Sequence, residues 1–176
     1  TVADGLTLTL LKTSTTAVNI GTSTDTSAIK KTIQDFVTAY NGLMNLMRDQ
    51  TKYDSATKTA GSLQGDAKAI SLQQMLRNVS GGSTTLGGAF ARLADIGLDP
   101  GQNGTLTVNS SKLDKALTNL SDLKRFFSSV DTTNASNNGF AKKWSEFATK
   151  TLGTDGAIAT GQTGLQKRIK DNDKQI

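Results

Sequence analysis

The sequence contains neither cysteine nor histidine among its 176 residues. Without cysteine there is no disulfide, no thiolate nucleophile and no zinc site built on sulfur. Without histidine, the commonest general base and the commonest transition-metal ligand are both missing. Glu146 is the one glutamate, and no local spacing of the aspartates pairs two carboxylates for hydrolysis. We therefore expect a protein that is not an enzyme, with no catalytic residue, cofactor or metal site.

Apolar and aromatic residues are also scarce, at 35% and 5% of the chain, and proline occurs once, at Pro100. A chain of this length can still fold as one domain, or as one domain with an extension. A light core favours elongated helical layers, or a subunit that completes its core against a neighbour. No segment approaches the roughly 20 apolar residues of a membrane-spanning helix, so we expect no membrane insertion.

Basic residues outnumber acidic ones, which gives a formal net charge of +5. This balance raises nucleic acid as a partner, but the basic residues are scattered among aspartates. The densest run, Lys167, Arg168, Lys170 and Lys174, has no interleaved aromatic residue that could stack on bases. We interpret it as the solvated flank of a coiled coil and expect no nucleic-acid partner.

Two segments carry residues at alternating intervals of four and three, the heptad spacing of helices that pack along a seam. We predict that both are long helices of an antiparallel bundle or a coiled-coil leg. Polar residues in the second seam would fix its register at a cost in stability. The seam positions are Ile29, Ile33, Phe36, Tyr40, Leu43 and Met47 in the first segment, and Ile158, Gln162, Leu165, Ile169, Asn172 and Ile176 in the second.

Strand patterns are short. Residues 5–12 alternate leucine with threonine and, with residues 17–20, predict a β-hairpin; a second hairpin is predicted over 93–108. Further helices are predicted after Asp66, after 109–111 and around Trp144, whose aromatic neighbours favour a core anchor over an exposed binding stripe. The polar segments 51–65 and 131–138 read as loops. The predicted fold class is α+β, mainly α, with one or two small β-hairpins.

We divide the chain into a β-hairpin at 1–24, an inner helical domain at 25–152 and a coiled-coil leg helix at 153–176. The sequence opens within a strand pattern and stops at Ile176 within a heptad. We therefore expect it to be a piece of a longer protein.

Several segments have an order and spacing that identify a family resemblance. They are DTSAIK at 25–30, FVTAYN at 36–41, QTKYD at 50–54, GSLQGD at 61–66, LADIGL at 93–98, GTLTV at 104–108 and SKLDKAL at 111–117. Together they resemble the flagellar filament cap family, also called hook-associated protein 2. The opening GLTLTL at 5–10 resembles the strand that returns from that family's outer domains.

The resemblance implies a secreted structural protein at the tip of the bacterial flagellum. It implies a ring-like homo-oligomer with leg helices, which keeps flagellin from leaking out and promotes its polymerisation. Flagellin, hook–filament junction proteins and an export chaperone would be its partners. Two other readings stay open at this point: another axial protein such as flagellin, or a surface adhesin with a helical stalk. The hairpin and capped helix at 93–117 favour the cap family.

Overall fold

The computed structural model describes residue 9, residues 11–19, residue 21 and residues 25–174. Within these ranges the fold is mainly helical, with two small antiparallel two-stranded sheets, so the predicted fold class is confirmed. The elements are α1 (Thr26–Thr51), β1 (Tyr53–Asp54), β2 (Thr59–Ala60), α2 (Ala67–Gly81), β3 (Leu98–Pro100), β4 (Leu106–Val108), α3 (Ser110–Leu117), α4 (Leu120–Ser128), α5 (Phe140–Leu152) and α6 (Ala157–Asp173).

The long helix α1 is the framework on which the domain is built. The carboxylate of Asp25 caps it, accepting hydrogen bonds from the main-chain nitrogens of Ser27 (2.9 Å) and Ala28 (3.2 Å). Helices α2 and α3 and strand β4 pack along it, and α5 packs against α2, α4 and α6. The predicted first helix is therefore confirmed.

An apolar core lies between α1, the β3–β4 hairpin and helices α2 to α5. At its α5 end the rings of Phe36, Tyr40, Phe126, Phe140 and Trp144 make six ring contacts, three of them edge to face. Such pairs add to the free energy that burial alone provides. The interpretation of Trp144 as a core anchor is confirmed, since its ring is partly buried against this core.

The hairpin predicted over 93–108 is present but shorter than expected. Leu98 pairs with Val108 and Pro100 with Leu106, whereas the first predicted strand residues form a 3-10 helix, Leu93–Ile96. The carboxylate of Asp95 accepts hydrogen bonds from two preceding main-chain nitrogens, both at 2.8 Å, which closes a helical turn. Gly97 then ends this turn at φ 86°, a conformation that favours glycine.

A second small hairpin lies within the loop predicted at 51–65, so that prediction was wrong for residues 53–54 and 59–60. Tyr53 pairs with Ala60 and Asp54 with Thr59. The Asp54 carboxylate accepts hydrogen bonds from the main-chain nitrogens of Ala56 (2.9 Å) and Thr57 (3.3 Å), and these bonds shape the turn. Two-residue strands are too short to show an alternating pattern, so their pairing left no signal in the sequence.

The hairpin predicted over 1–24 falls largely outside the described residues. Residues 1–8, 10, 20 and 22–24 are not described, and residues 9, 11–19 and 21 belong to no strand. The segment 17–19, predicted as part of the return strand, is therefore irregular. The domain boundaries after residues 24 and 152 stay predictions.

Candidate functional site

The features that carry functional information are apolar helix surfaces. Across residues 9, 11–19, 21 and 25–174, no group of three or more acidic side chains is arranged to hold a metal ion. None of the helices in this part of the chain is long and apolar enough to cross a membrane.

Polar contacts fix the rotation of α1 and thereby decide which face it presents. The Asn41 side chain forms a two-pronged link to β4, donating to the Leu106 carbonyl and accepting from the Leu106 nitrogen, both at 2.8 Å. One residue earlier, the Tyr40 hydroxyl donates to the Gly104 carbonyl at 2.7 Å. Burial raises the pKa of Tyr40, so the phenol stays protonated and remains a donor at neutral pH. Nearer the start of α1, Lys30 forms an ion pair with Asp114 of α3.

The first predicted seam is divided between core and surface. Ile33, Tyr40 and Met47 are buried and Ile29 and Phe36 are half-buried, but Leu43 is 38% exposed. Val37 and Met44 on the same side of α1 are buried as well, so the core-facing stripe is wider than the six predicted positions. Whether the six predicted positions form one continuous packing seam stays a prediction.

A further stripe of α1 faces solvent, and we call it the outer stripe. It consists of exposed Ala39, Gly42, Leu43 and Leu46, and Leu46 is 56% exposed. A Cβ placed on Gly42 would have no atom within 4 Å. Leu46 was not among the predicted seam positions; it directly precedes the seam residue Met47.

An apolar groove lies beside the first half of α1, where α1, α5 and Leu98 meet. Its volume is about 400 Å³. The seam residues Ile29, Ile33 and Phe36 line one wall, and Phe140 and Trp144 line the other. The indole nitrogen of Trp144 is buried without a hydrogen-bond partner among the described residues.

The second predicted seam lies on the solvent-facing side of α6. Ile158 is 48% exposed, Leu165 59% and Ile169 60%, and Asn172 is also exposed. Ile176 lies outside the described residues. The start of α6 packs on α5, and Gly161 is buried next to Lys68, but residues 162–174 are all exposed. Most helices in proteins are stabilised by packing of an apolar face, and among the described residues nothing covers this half of α6.

The loop 131–138 is more ordered than its polar sequence suggests. The Asp131 carboxylate accepts hydrogen bonds from the Thr133 hydroxyl (2.7 Å), the Asn137 amide (2.9 Å) and two main-chain nitrogens. These donors hold the pKa of Asp131 well below its ordinary value. Asn138 is buried and donates to Glu146, which ties the loop to α5.

The fold defines a class: a mainly helical module with apolar side chains exposed along two of its helices, α1 and α6. Monomeric domains rarely leave contiguous apolar helix faces in water. Within the described residues, Leu43 and Leu46 of α1 and Ile158, Leu165 and Ile169 of α6 are the exposed apolar side chains in question.

The chain belongs to the family described as flagellar hook-associated protein 2 C-terminus, whose family model matches residues 1–176. It is 30% identical over 164 residues to the A-type flagellar hook-associated protein 2 of Pseudomonas aeruginosa, covering 90% of this chain and 32% of that protein. It is 28% identical over 162 residues to the flagellar hook-associated protein 2 of Vibrio cholerae, covering 89% of this chain and 23% of that protein. The chain thus spans a third or less of these relatives.

A solved structure has the same fold. The crystal structure of the flagellar cap protein FliD D1-D2-D3 domains from Escherichia coli matches with a TM-score of 0.67 and 26% sequence identity. The match covers 81% of this chain and 37% of that one.

Proposed function

We propose that this chain is the inner helical part of a protein that caps the distal end of the bacterial flagellar filament. The observation that carries this proposal is the family match over residues 1–176, supported by the structural match to a flagellar cap protein. The cap would keep flagellin from leaking away and promote its polymerisation at the tip. Its role is structural and not enzymatic, and its place is outside the cell, on the flagellum.

The partners follow from the same proposal. The full-length protein would form a ring-like homo-oligomer and contact flagellin, with hook–filament junction proteins and an export chaperone as further partners. Exposed apolar helix faces support an assembly role, since such faces are covered when subunits or segments associate. Residues 25–152 would be the inner domain and residues 153–176 part of a leg.

We infer that the α6 seam is the packing face of that leg. Leu165 and Ile169 lie four residues apart and are both exposed, and Asn172 continues the same heptad line. A partner helix would bury both apolar side chains, and Asn172 would set its register. On α1, the outer stripe around Leu43 and Leu46 would be covered in the same way.

The test is complementation of a motile bacterium that lacks its own cap protein. Expression of the full-length protein should restore filament growth and reduce the flagellin released into the medium. Continued release of flagellin, with the protein exported in normal amounts, would reject the cap function.

The leg is tested by paired variants of the full-length protein. Ile169→Asp places a charge in the seam, whereas Thr163→Asp places the same charge at an exposed position on the far side of α6. We expect the first to lower the mass of the oligomer in light scattering and the second to leave it unchanged. Equal oligomer masses for the two variants would remove the α6 seam from the proposed assembly.

A further inference from the structure

The chain contains three Asn-Gly pairs, beginning at Asn41, Asn103 and Asn138. In such a pair the main-chain nitrogen of the glycine can attack the asparagine side chain, because glycine has no Cβ to obstruct the approach. The reaction in a folded protein requires a free side-chain amide and a backbone that can rotate. The structure gives the three asparagines different environments in both respects.

Two of the three side-chain amides, those of Asn41 and Asn138, are fixed by hydrogen bonds. The Asn41 side chain is bonded to Leu106 through both its oxygen and its nitrogen, and it lies within α1. Asn138 is 3% exposed; its oxygen accepts from the Asp131 nitrogen at 2.8 Å and its nitrogen donates to Glu146 at 3.2 Å. Reaction at either position requires breaking two hydrogen bonds.

Asn103 is different. It is exposed in the turn between β3 and β4, and its side-chain amide has no partner in the part of the chain that the structure describes. Its backbone has φ 62°, a left-handed conformation that costs free energy for a residue with a side chain, and Gly104 follows with φ 79°. Because Asn103 lies outside the α-helices, its backbone can rotate without unwinding one.

We propose that Asn103 is a site of spontaneous deamidation. The Gly104 nitrogen, after losing its proton, attacks the Asn103 side-chain carbonyl carbon, and the new N–C bond closes a five-membered succinimide. The bond from that carbon to the amide nitrogen breaks, and the nitrogen leaves as ammonia. Water then opens the ring at either carbonyl, which leaves an aspartate or an isoaspartate. The reaction needs no oxidant, reductant or cofactor.

The modification would alter a contact that positions α1. Isoaspartate lengthens the main chain by one carbon directly before Gly104. The Gly104 carbonyl accepts a hydrogen bond from the Tyr40 hydroxyl at 2.7 Å. The main-chain carbonyl of Asn103 accepts a hydrogen bond from the Arg77 side chain of α2 at 3.3 Å. Ageing of the protein would therefore loosen the turn from α1 and α2.

The experiment incubates the full-length protein under native conditions at neutral and mildly alkaline pH. Tryptic peptides 32–48, 93–112 and 126–142 separate the three asparagines, and fragment spectra distinguish Asn103 from Asn109 in the second peptide. We expect deamidation at Asn103 about tenfold faster or more than at Asn41 or Asn138, because each of those must first break two hydrogen bonds. The rate should rise with pH, and in urea the three rates should converge.

Asn103→Gly is the matched control, because glycine tolerates the left-handed backbone and has no amide to lose. It should abolish the change at this position and leave the rates at Asn41 and Asn138 as they were. A native rate at Asn103 no greater than the rates at the other two Asn-Gly pairs would overturn the proposal.

Discussion

The link between Asn41 and Leu106 allows a quantitative test of how α1 is held. Asn41→Ala leaves the main-chain nitrogen and carbonyl of Leu106 without their partner at a part-buried position. Losing two such hydrogen bonds costs about 2–3 kcal/mol in the free energy of unfolding. The higher helix propensity of alanine adds about 0.6 kcal/mol to the free energy of unfolding. The net loss should be about 2 kcal/mol, which corresponds to a melting temperature lower by roughly 4–8 °C for a chain of this size.

The assay is urea unfolding of the chain, followed by far-ultraviolet circular dichroism. Asn45→Ala is the control, since Asn45 lies one turn further along α1, is exposed and makes no side-chain hydrogen bond among the described residues. It gains the same helix propensity and loses no link, so it should be slightly more stable than the parent. If the two variants agreed to within about 0.5 kcal/mol, the Asn41 link would not contribute as inferred.

Three further predictions use the same unfolding measurement. A Cβ at Gly97 would lie 2.6 Å from a main-chain carbonyl, so Gly97→Ala should cost about 2 kcal/mol or more, while Gly42→Ala, in open space on α1, should stabilise by about 1 kcal/mol. Phe140→Ala removes a buried ring and should cost about 3–5 kcal/mol; a loss under about 1 kcal/mol would contradict its place in the core. Hydrogen bonds from the Thr133 hydroxyl and its neighbours lower the pKa of Asp131, so its carboxylate stabilises the fold above the ordinary pKa and loses that effect as pH falls. Asp131→Asn should therefore show a shallower loss of stability than the parent below about pH 4, and equal slopes would contradict this.

Local patterns allowed several elements to be predicted from the sequence. The heptad spacing from Ile29 to Met47 predicted α1, because apolar residues at this spacing align on one side of a helix. The residues around Pro100 predicted the turn of the β3–β4 hairpin. Both signals lie within a few residues of the structure that they specify.

Other features depend on partners far away in the chain. In the sequence, Asn41 is a residue of low helix propensity. Its hydrogen bonds to Leu106, 65 positions later, form only where α1 packs against β4. The 3-10 turn before Gly97 replaced a predicted strand because the Asp95 side chain bonds to its own main chain, which an apolar pattern does not reveal. The β1–β2 hairpin is too short to leave a periodic signal.

The sequence by itself determined the family resemblance, the long helices and the scarcity of groups that could perform catalysis. Only the tertiary structure decided which side of each helix is buried. Apolar residues stand at both 43 and 44, and the packing of α1 against its neighbours buried Met44 and left Leu43 38% exposed. The same holds for α6, whose seam is apolar in sequence but exposed in this fold. Periodicity sets the direction of side chains around one helix, whereas burial requires a second surface at the right distance.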